Sequence, residues 1–302
     1  MIVNQSTLAA LNVQINKTFQ DALAEQTPLI DKIASRVPSA TTSNKYPLGG
    51  LTGAMRHWVG DRVVQNLVAY IETISNLEYE QTIGVKRTDI ADDQVGWITA
   101  VVQQMAREVT QHPWRTAITE LMTNGFSTDY ETQDGVAFFS ATHSWKQSAY
   151  TTSQVNLAAA ALAEGAVYTG LQFFDEVKGP NGNFLGYEPD VFLCAANLRS
   201  TAEQLFLQAT LATGESNPLY GRFSRENIIV GHGITDAYWA MLCTSAPIKP
   251  VVFQEREAFA MTPMTSLTDE NVFNKGEFRW GTSYRGAVKP IAWWLAYGST
   301  GA

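Results

Sequence analysis

The sequence predicts an α+β fold built as two bodies with two extensions. Two observations carry this. Apolar residues recur at helical spacing over residues 95–122, and strict period-two alternation marks residues 77–86 and 278–285. A third is that the opening residues hold one amphipathic helix and then extended, Pro-punctuated chain. The chain has 302 residues, enough to bury a large core without staples.

The elements are taken in chain order. Leu8, Leu11, Ile15, Phe19 and Leu23 share one helix face, with Ser6 or Thr7 placed to cap it. Pro28 and Pro38 interrupt the chain beyond this helix, and a polar run leads to Tyr46-Pro47-Leu48-Gly49-Gly50. This opening reads as an arm that leans on other surfaces. Leu77, Tyr79, Gln81, Ile83 and Val85 alternate with polar residues, the mark of a half-buried strand. Residues 68–74 are its expected partner, with Ser75-Asn76 as the turn, making a long hairpin that projects from the body.

Asp89, Asp92 and Asp93 precede the strongest helix, where acidic groups favour the dipole and cap free amides. Val95, Ile98, Val101, Val102, Met105 and Val109 form its stripe. Pro113 should kink or restart it, and Asn124-Gly125 should end it. Asp134-Gly135 is a turn before the apolar run at 136–139. Asn156 is expected to cap a helix reaching about Val177, which Gly179-Pro180-Asn181-Gly182 stops. Residues 191–195 read as a buried strand and 198–208 as a helix. Residues 213–225 are a polar loop, with short strands expected at 228–230, 238–243 and 251–253. Phe278, Trp280, Thr282 and Tyr284 alternate as a half-buried strand, and 291–297 is the expected partner. Residues 87–155 and 245–302 are grouped as one body and 156–244 as the other, with no internal repeat.

Composition narrows the function. Lys and Arg number 21 and Asp and Glu 29, for a net charge of −8. With a pI near 5.1, gripping nucleic acid or an anionic membrane is not the main task. Only 17% of residues are charged, against about 25% in ordinary soluble proteins, so much surface is expected to meet other protein. Mean hydropathy is −0.11, and no run is apolar and long enough to span a membrane. The opening residues lack a basic segment before the apolar ones, so no signal peptide is expected. Cys194 and Cys243 read as reduced, buried thiols.

No catalytic motif is present: no GxSxG, HExxH, phosphate-binding loop or GxGxxG. His57, His112, His143 and His232 are scattered, so neither a metal nor a cofactor is expected, and His232 fits a Gly-His-Gly turn. The Asp89 cluster lacks calcium-loop spacing. Arg56, Arg62, Lys86 and Arg87 alternate with Asp61, Glu78 and Glu80, a mixture that suits salt bridges between chains better than nucleic acid. Trp58 stands among glycines and charges, where a large apolar ring is expected to dock on something. Trp280, Trp293 and Trp294 read as core.

Several stretches resemble the major capsid proteins of Mu-like phages: MIVNQSTLAAL, IASRVPSATTSNKYPLGG, MRHWVGDRVVQNL, IGVKRTDIADDQVG and DGVAFFSATHSW. The resemblance implies the Hong Kong 97 capsid fold. It assigns residues 1–45 to an N-terminal arm and 46–86 to an E-loop region. Residues 87–155 and 245–302 become the P-domain with its spine helix, and 156–244 the A-domain. It implies an icosahedral phage shell of hexamers and pentamers around double-stranded DNA. The implied partners are copies of this chain, a separate scaffolding protein, a portal, a decoration protein, and DNA by weak nonspecific contact. It implies no membrane, no chain cleavage and no cross-linking, with assembly in the bacterial cytoplasm. Arg56, Trp58, Asp61, Arg62, Lys86 and Arg87 are the inter-subunit candidates, joined by Tyr220 and Arg222 in the loop assigned to capsomer axes. The alternatives are an encapsulin-like compartment shell, a tail or connector component, and an enzyme whose site is assembled from scattered residues.

Overall fold

Helix α1 (Gln5–Glu25) buries Leu8, Leu11, Ile15, Phe19 and Ala22, with Leu23 at the margin. Its cap is Asn4, not Ser6 or Thr7: Asn4 Oδ1 accepts the Thr7 amide at 2.9 Å, and Thr7 Oγ1 accepts the Asn4 amide at 3.0 Å. The computed structural model describes residues 4–25, 28–48, 57–58, 60, 71–92, 95–145, 150–211, 213–234 and 236–302.

After a short 3-10 turn, β1 (Ala34–Pro38) and β2 (Ser43–Pro47) follow. Next come β3 (Ile71–Ser75) and β4 (Leu77–Lys86). The expected hairpin between them is absent. β3 pairs antiparallel with β2, while β4 pairs antiparallel with β10 (Glu277–Pro290). Asn76 is a crossing point between two sheets, not a turn. Its amide donates to Thr42 O and its side-chain amide to Ser39 Oγ and Thr41 O.

A short helix, α2 (Arg87–Ala91), precedes α3 (Val95–Met122). At 1.5 Å per residue α3 is about 42 Å long. It runs unbroken through Pro113, so the expected restart does not occur. It ends in a 3-10 turn, Asn124–Phe126, and Gly125 there is not left-handed. The stripe Ile98, Val102, Met105, Ala106 and Val109 is buried. Part of it packs against α1, Ile90, Phe278 and Trp280 in a cluster of its own. The surface on which this opening helix leans therefore lies within its own chain.

The long sheet has the order β1-β9-β10-β4, with β9 spanning Val251–Met264. The inner ends of β9 and β10 join the main core, and their outer ends carry the second cluster. The other sheet contains β5 (Leu157–Ala158), β6 (Val191–Ala195), β7 (Ile228–Gly231), β8 (Trp239–Leu242) and β11 (Ala296–Ser299), in the order β5-β11-β8-β6-β7. Its helices are α4 (Glu164–Glu176) and α5 (Arg199–Leu207). The last helix is α6 (Glu270–Lys275). Residues 291–297 do not pair with β10: β11 pairs with β8 and β5, so the C-terminal strand enters the sheet of the 156–244 segment.

Asn156 caps no helix. It is fully buried, and its amide donates to Phe138 O at 2.9 Å and to Trp293 O and Ala296 O at 3.2 Å. Its Oδ1 accepts the Ser140 amide at 2.8 Å. It thus stitches the 136–140 run to the C-terminal core, where Trp293 and Trp294 are buried. Nearby, buried His143 reaches Asp134 Oδ2 at 2.7 Å and Phe138 O at 3.0 Å, and stacks on Trp293 with ring centroids 4.2 Å apart. Burial alone would raise the Asp134 carboxyl. The hydrogen bond and charge of His143, the Thr132 hydroxyl and the Ser144 amide outweigh it and hold the group below its usual 3.8.

Asn156→Ala strands several buried polar groups and should cost about 2–4 kcal/mol, read as a lower urea midpoint with unchanged slope. Asp134 has the depressed-carboxylate sign. Its stabilisation is complete above the unfolded value near 3.8 and is lost as pH falls through the lower folded value. Asp134→Asn should therefore be less stable at neutral pH and show a smaller further loss on acidification, followed by thermal melts from pH 7 to pH 3.

Candidate assembly surfaces

The described residues hold no arrangement suited to catalysis. No group of three or more His, Cys, Asp and Glu among them could hold a metal ion. His112 is half-buried, hydrogen-bonded to the Tyr284 hydroxyl at 2.6 Å. Burial, then the charge of Arg115, lowers its pKa. His143 is committed to Asp134 and the core. His232 is exposed in its turn, where Gly233 has φ 89°. Burial pushes the Cys194 thiol up to about 11, which leaves it inert. No helix among the described residues is long and apolar enough to cross a membrane.

What stands out is exposed apolar surface at the outer end of the long sheet. β9 ends at Met264, and the turn after it is fixed by Asp269 Oδ2, which accepts the Ser266 amide at 2.8 Å. Asn271 donates to Met264 O at 3.1 Å and Glu277 O at 2.6 Å, clamping α6 between the two long strands. Gly276, at φ 62°, ends α6 in the left-handed conformation. Asn12 of α1 donates to Thr265 Oγ1 at 2.7 Å and accepts from the Trp280 indole at 3.0 Å. These bonds bring Val13, Met264, Leu267 and Phe273 to one end of the molecule, all exposed. Phe273 is 86% accessible. Val272 of the same short helix is buried in the cluster beneath α1, while Phe273, about 100° further round, is left in solvent.

Lys86 and Arg87 belong to this same end. Lys86 lies opposite Glu277 in the sheet register, and the Arg87 amide donates to Gly276 O at 2.8 Å. Both side chains are exposed. Sequence reasoning found these two cations but missed the apolar residues beside them. The adjacent Val272-Phe273 pair, with Lys275-Gly276 close behind, was the available signal.

Tyr220 and Arg222 share one turn between α5 and β7. Asn217 supports it by donating to Leu205 O at 2.9 Å and Gln208 O at 2.7 Å, satisfying carbonyls at the end of α5. Leu219 and Phe223 anchor the turn in the core, while Tyr220 is exposed. Arg222 is paired with Glu188 of its own chain. Trp58 is also exposed, and its indole N–H donates to Gly60 O at 2.6 Å. Arg56, Asp61 and Arg62 lie outside the described residues.

The Mu-like prophage major head subunit gpT family profile matches residues 8–169 and 224–302. The major capsid protein of Escherichia phage Mu is 26% identical over 296 residues, 98% of this chain and 74% of its own length. The procapsid of bacteriophage JBD30 superposes at TM-score 0.61 and 27% identity, covering 99% of this chain and 76% of that one. The capsid of an empty GTA particle, at 15% identity, shares the fold at TM-score 0.56, covering 92% of this chain and 91% of that one. The exposed apolar end agrees with these likenesses: the chain belongs to the Mu-like prophage major head subunit family and is a shell-forming structural head protein with the Hong Kong 97 capsid fold.

Proposed function

We propose that the chain forms hexamers and pentamers that close into an icosahedral shell around double-stranded DNA, and that the outer end of the long sheet is one of its contacts between copies. The observation that carries this is the set Val13, Met264, Leu267 and Phe273, apolar and exposed on a subunit whose family forms shells. Burying such side chains between copies removes apolar area from water, and Lys86 and Arg87 supply a charged rim. In this reading residues 1–45 are the arm and 46–86 the E-loop region. Residues 87–155 and 245–302 are the P-domain and 156–244 the A-domain. Arg56, Trp58, Asp61 and Arg62 serve as E-loop contacts. Tyr220 faces a capsomer axis, and Arg222 helps by bracing the same turn through Glu188.

The remaining partners rest on chemistry and on the family. A chain of net charge −8 repels DNA within a Debye length of about 10 Å at ~0.1 M salt, so DNA contact is weak and packaging force comes from elsewhere. A separate scaffolding protein, a portal and a decoration protein complete the particle, which assembles in the bacterial cytoplasm.

Electron microscopy of the chain co-expressed with its neighbouring genes tests the whole reading: closed icosahedral shells are expected, and dispersed monomers under every condition would overturn it. Phe273→Asp should leave subunit stability within about 0.5 kcal/mol of wild type and sharply reduce particle yield. Normal yield would remove the α6 end from the interface. Trp58→Ala should weaken shell formation in a subunit that stays folded, as judged by circular dichroism beside particle counts.

A further inference from the structure

β4 is an outer strand of the long sheet, whose order is β1-β9-β10-β4. Its ten residues, Leu77–Lys86, make it about 34 Å long at 3.4 Å per residue. Its backbone meets β10 on one side only. In an antiparallel ladder, residues alternate between those bonded to the partner strand and those turned away from it. The Arg87 amide donates to Gly276 O at 2.8 Å and continues the register of the pair, so the odd-numbered residues of β4 bond to β10. The amides and carbonyls of Glu78, Glu80, Thr82, Gly84 and Lys86 therefore point outward. All of these residues are exposed, and no described residue pairs with their backbone. Sheets ordinarily shorten, bulge or break an open edge, because it is a template for another strand. This edge is long, free of proline and unbroken in its pairing with β10.

Charge decides which strand fits. Glu78 and Glu80 lie in the first half of β4 and Lys86 at its end, so an antiparallel copy of the same strand sets acid against base. Only even-numbered residues have outward backbone groups, so possible registers differ by two residues. With Thr82 opposite Thr82 of the partner subunit, Glu78 lies opposite Lys86 of the partner subunit. Glu80 then lies opposite Gly84 of the partner subunit, and Tyr79 opposite Val85 of the partner subunit, an aromatic and β-branched pair. Neither neighbouring register uses the whole edge. One puts Lys86 opposite Asn76 of the partner subunit, whose amide is already donated to Thr42 O at 2.9 Å. The other puts Glu78 opposite Thr88 of the partner subunit, which lies in α2. Among the described residues Lys86 has no ion pair in its own chain. Glu78 meets Arg285 at 3.4 Å, yet its side chain is 77% accessible.

We propose that two copies of this chain pair through their β4 edges, antiparallel about a twofold axis at Thr82, and that this pairing joins neighbouring capsomers. The inference rests on the shell reading above. Contacts within a ring of subunits join unlike surfaces, whereas a self-complementary strand needs a twofold axis. In a closed shell such axes relate subunits of neighbouring rings. The pairing runs two four-stranded sheets into one continuous sheet.

Thr82 is the position of β4 that faces itself. In shells of the full-length chain co-expressed with its neighbouring genes, Thr82→Cys should form a disulfide between copies on mild oxidation, because paired Cα atoms sit about 5.5 Å apart, within disulfide reach. Most of the chain should move from the monomer to the dimer band on a non-reducing gel, and reductant should reverse the shift. Glu80→Cys is the control: its two copies lie about 14 Å apart in this register and should stay monomeric. Cys194 and Cys243 are buried and add no background. Shells in which Thr82→Cys stays monomeric, or links no better than Glu80→Cys, overturn the pairing and leave the shell reading intact. Absence of wild-type shells overturns both. If Thr82→Cys does not assemble, wild-type shells treated with a water-soluble carbodiimide decide the matter by mass spectrometry. Glu78 and Lys86 are about 27 Å apart along one strand, so a zero-length link between them joins two copies. That link is expected, and its absence where other Glu–Lys links form overturns the proposal.

Discussion

The constraint on which the rest of the structure depends is the length of two strands. β9 and β10 each run 14 residues, about 48 Å at 3.4 Å per residue, longer than one core can cover. Their inner ends sink into the main core beside Trp293 and Trp294, and their outer ends leave it. One face of the outer half is covered by α1 and α3, whose apolar stripes meet it and each other. The opposite face, with Glu257, Arg279 and Arg285, is charged. The far tip stays uncovered, and there Phe273 and its neighbours remain in water.

Polar side chains decide where the remaining segments dock on this frame. Asn156 fixes the 136–140 run, Asn217 holds the Tyr220 turn, and Gln254 and Glu72 hold the paired strands β2 and β3. All four are buried; Asn156, Gln254 and Glu72 are bonded to groups distant in sequence, and Asn217 to carbonyls at the end of the preceding helix. A buried amide stays satisfied only in a narrow range of positions, so it sets orientation more strictly than apolar contact does. The apolar clusters make the subunit stable, and the buried amides set the angles at which its extensions leave it. For a shell-forming protein, those angles decide which neighbour each extension meets.

The same division explains the surface. A subunit that works alone would cover its large apolar side chains. This one leaves Val13, Trp97 and Phe273 each more than 70% accessible while filling its interior with tryptophan and phenylalanine. The low charge content points the same way, since fewer charged groups compete for water when copies meet.

Much of this was determined by the sequence itself. Helical spacing marked the faces of α1 and α3, an unbroken apolar run marked β6, and alternation marked the inward side of β10, because period and face are local properties of the chain. Partners are not local. Alternation in residues 77–86 found the half-buried side chains Tyr79, Ile83 and Val85, although Leu77 and Gln81 of the same expected face are exposed, and only the tertiary structure decided that the strand pairs with β10 and that residues 71–75 pair with β2. Asn156 carries the residue type of a helix cap, and its role as a core stitch depends on carbonyls of Trp293 and Ala296 that reach it only through folding. The candidate surface divides in the same way. Lys86 and Arg87 were visible as charges, whereas Val13 came to the same end of the molecule as Met264, Leu267 and Phe273 only when the hydrogen bond of Asn12 to Thr265 joined two segments some 250 residues apart. Local chemistry set the faces of each element, and long-range hydrogen bonding and packing decided which faces would meet and which would stay open.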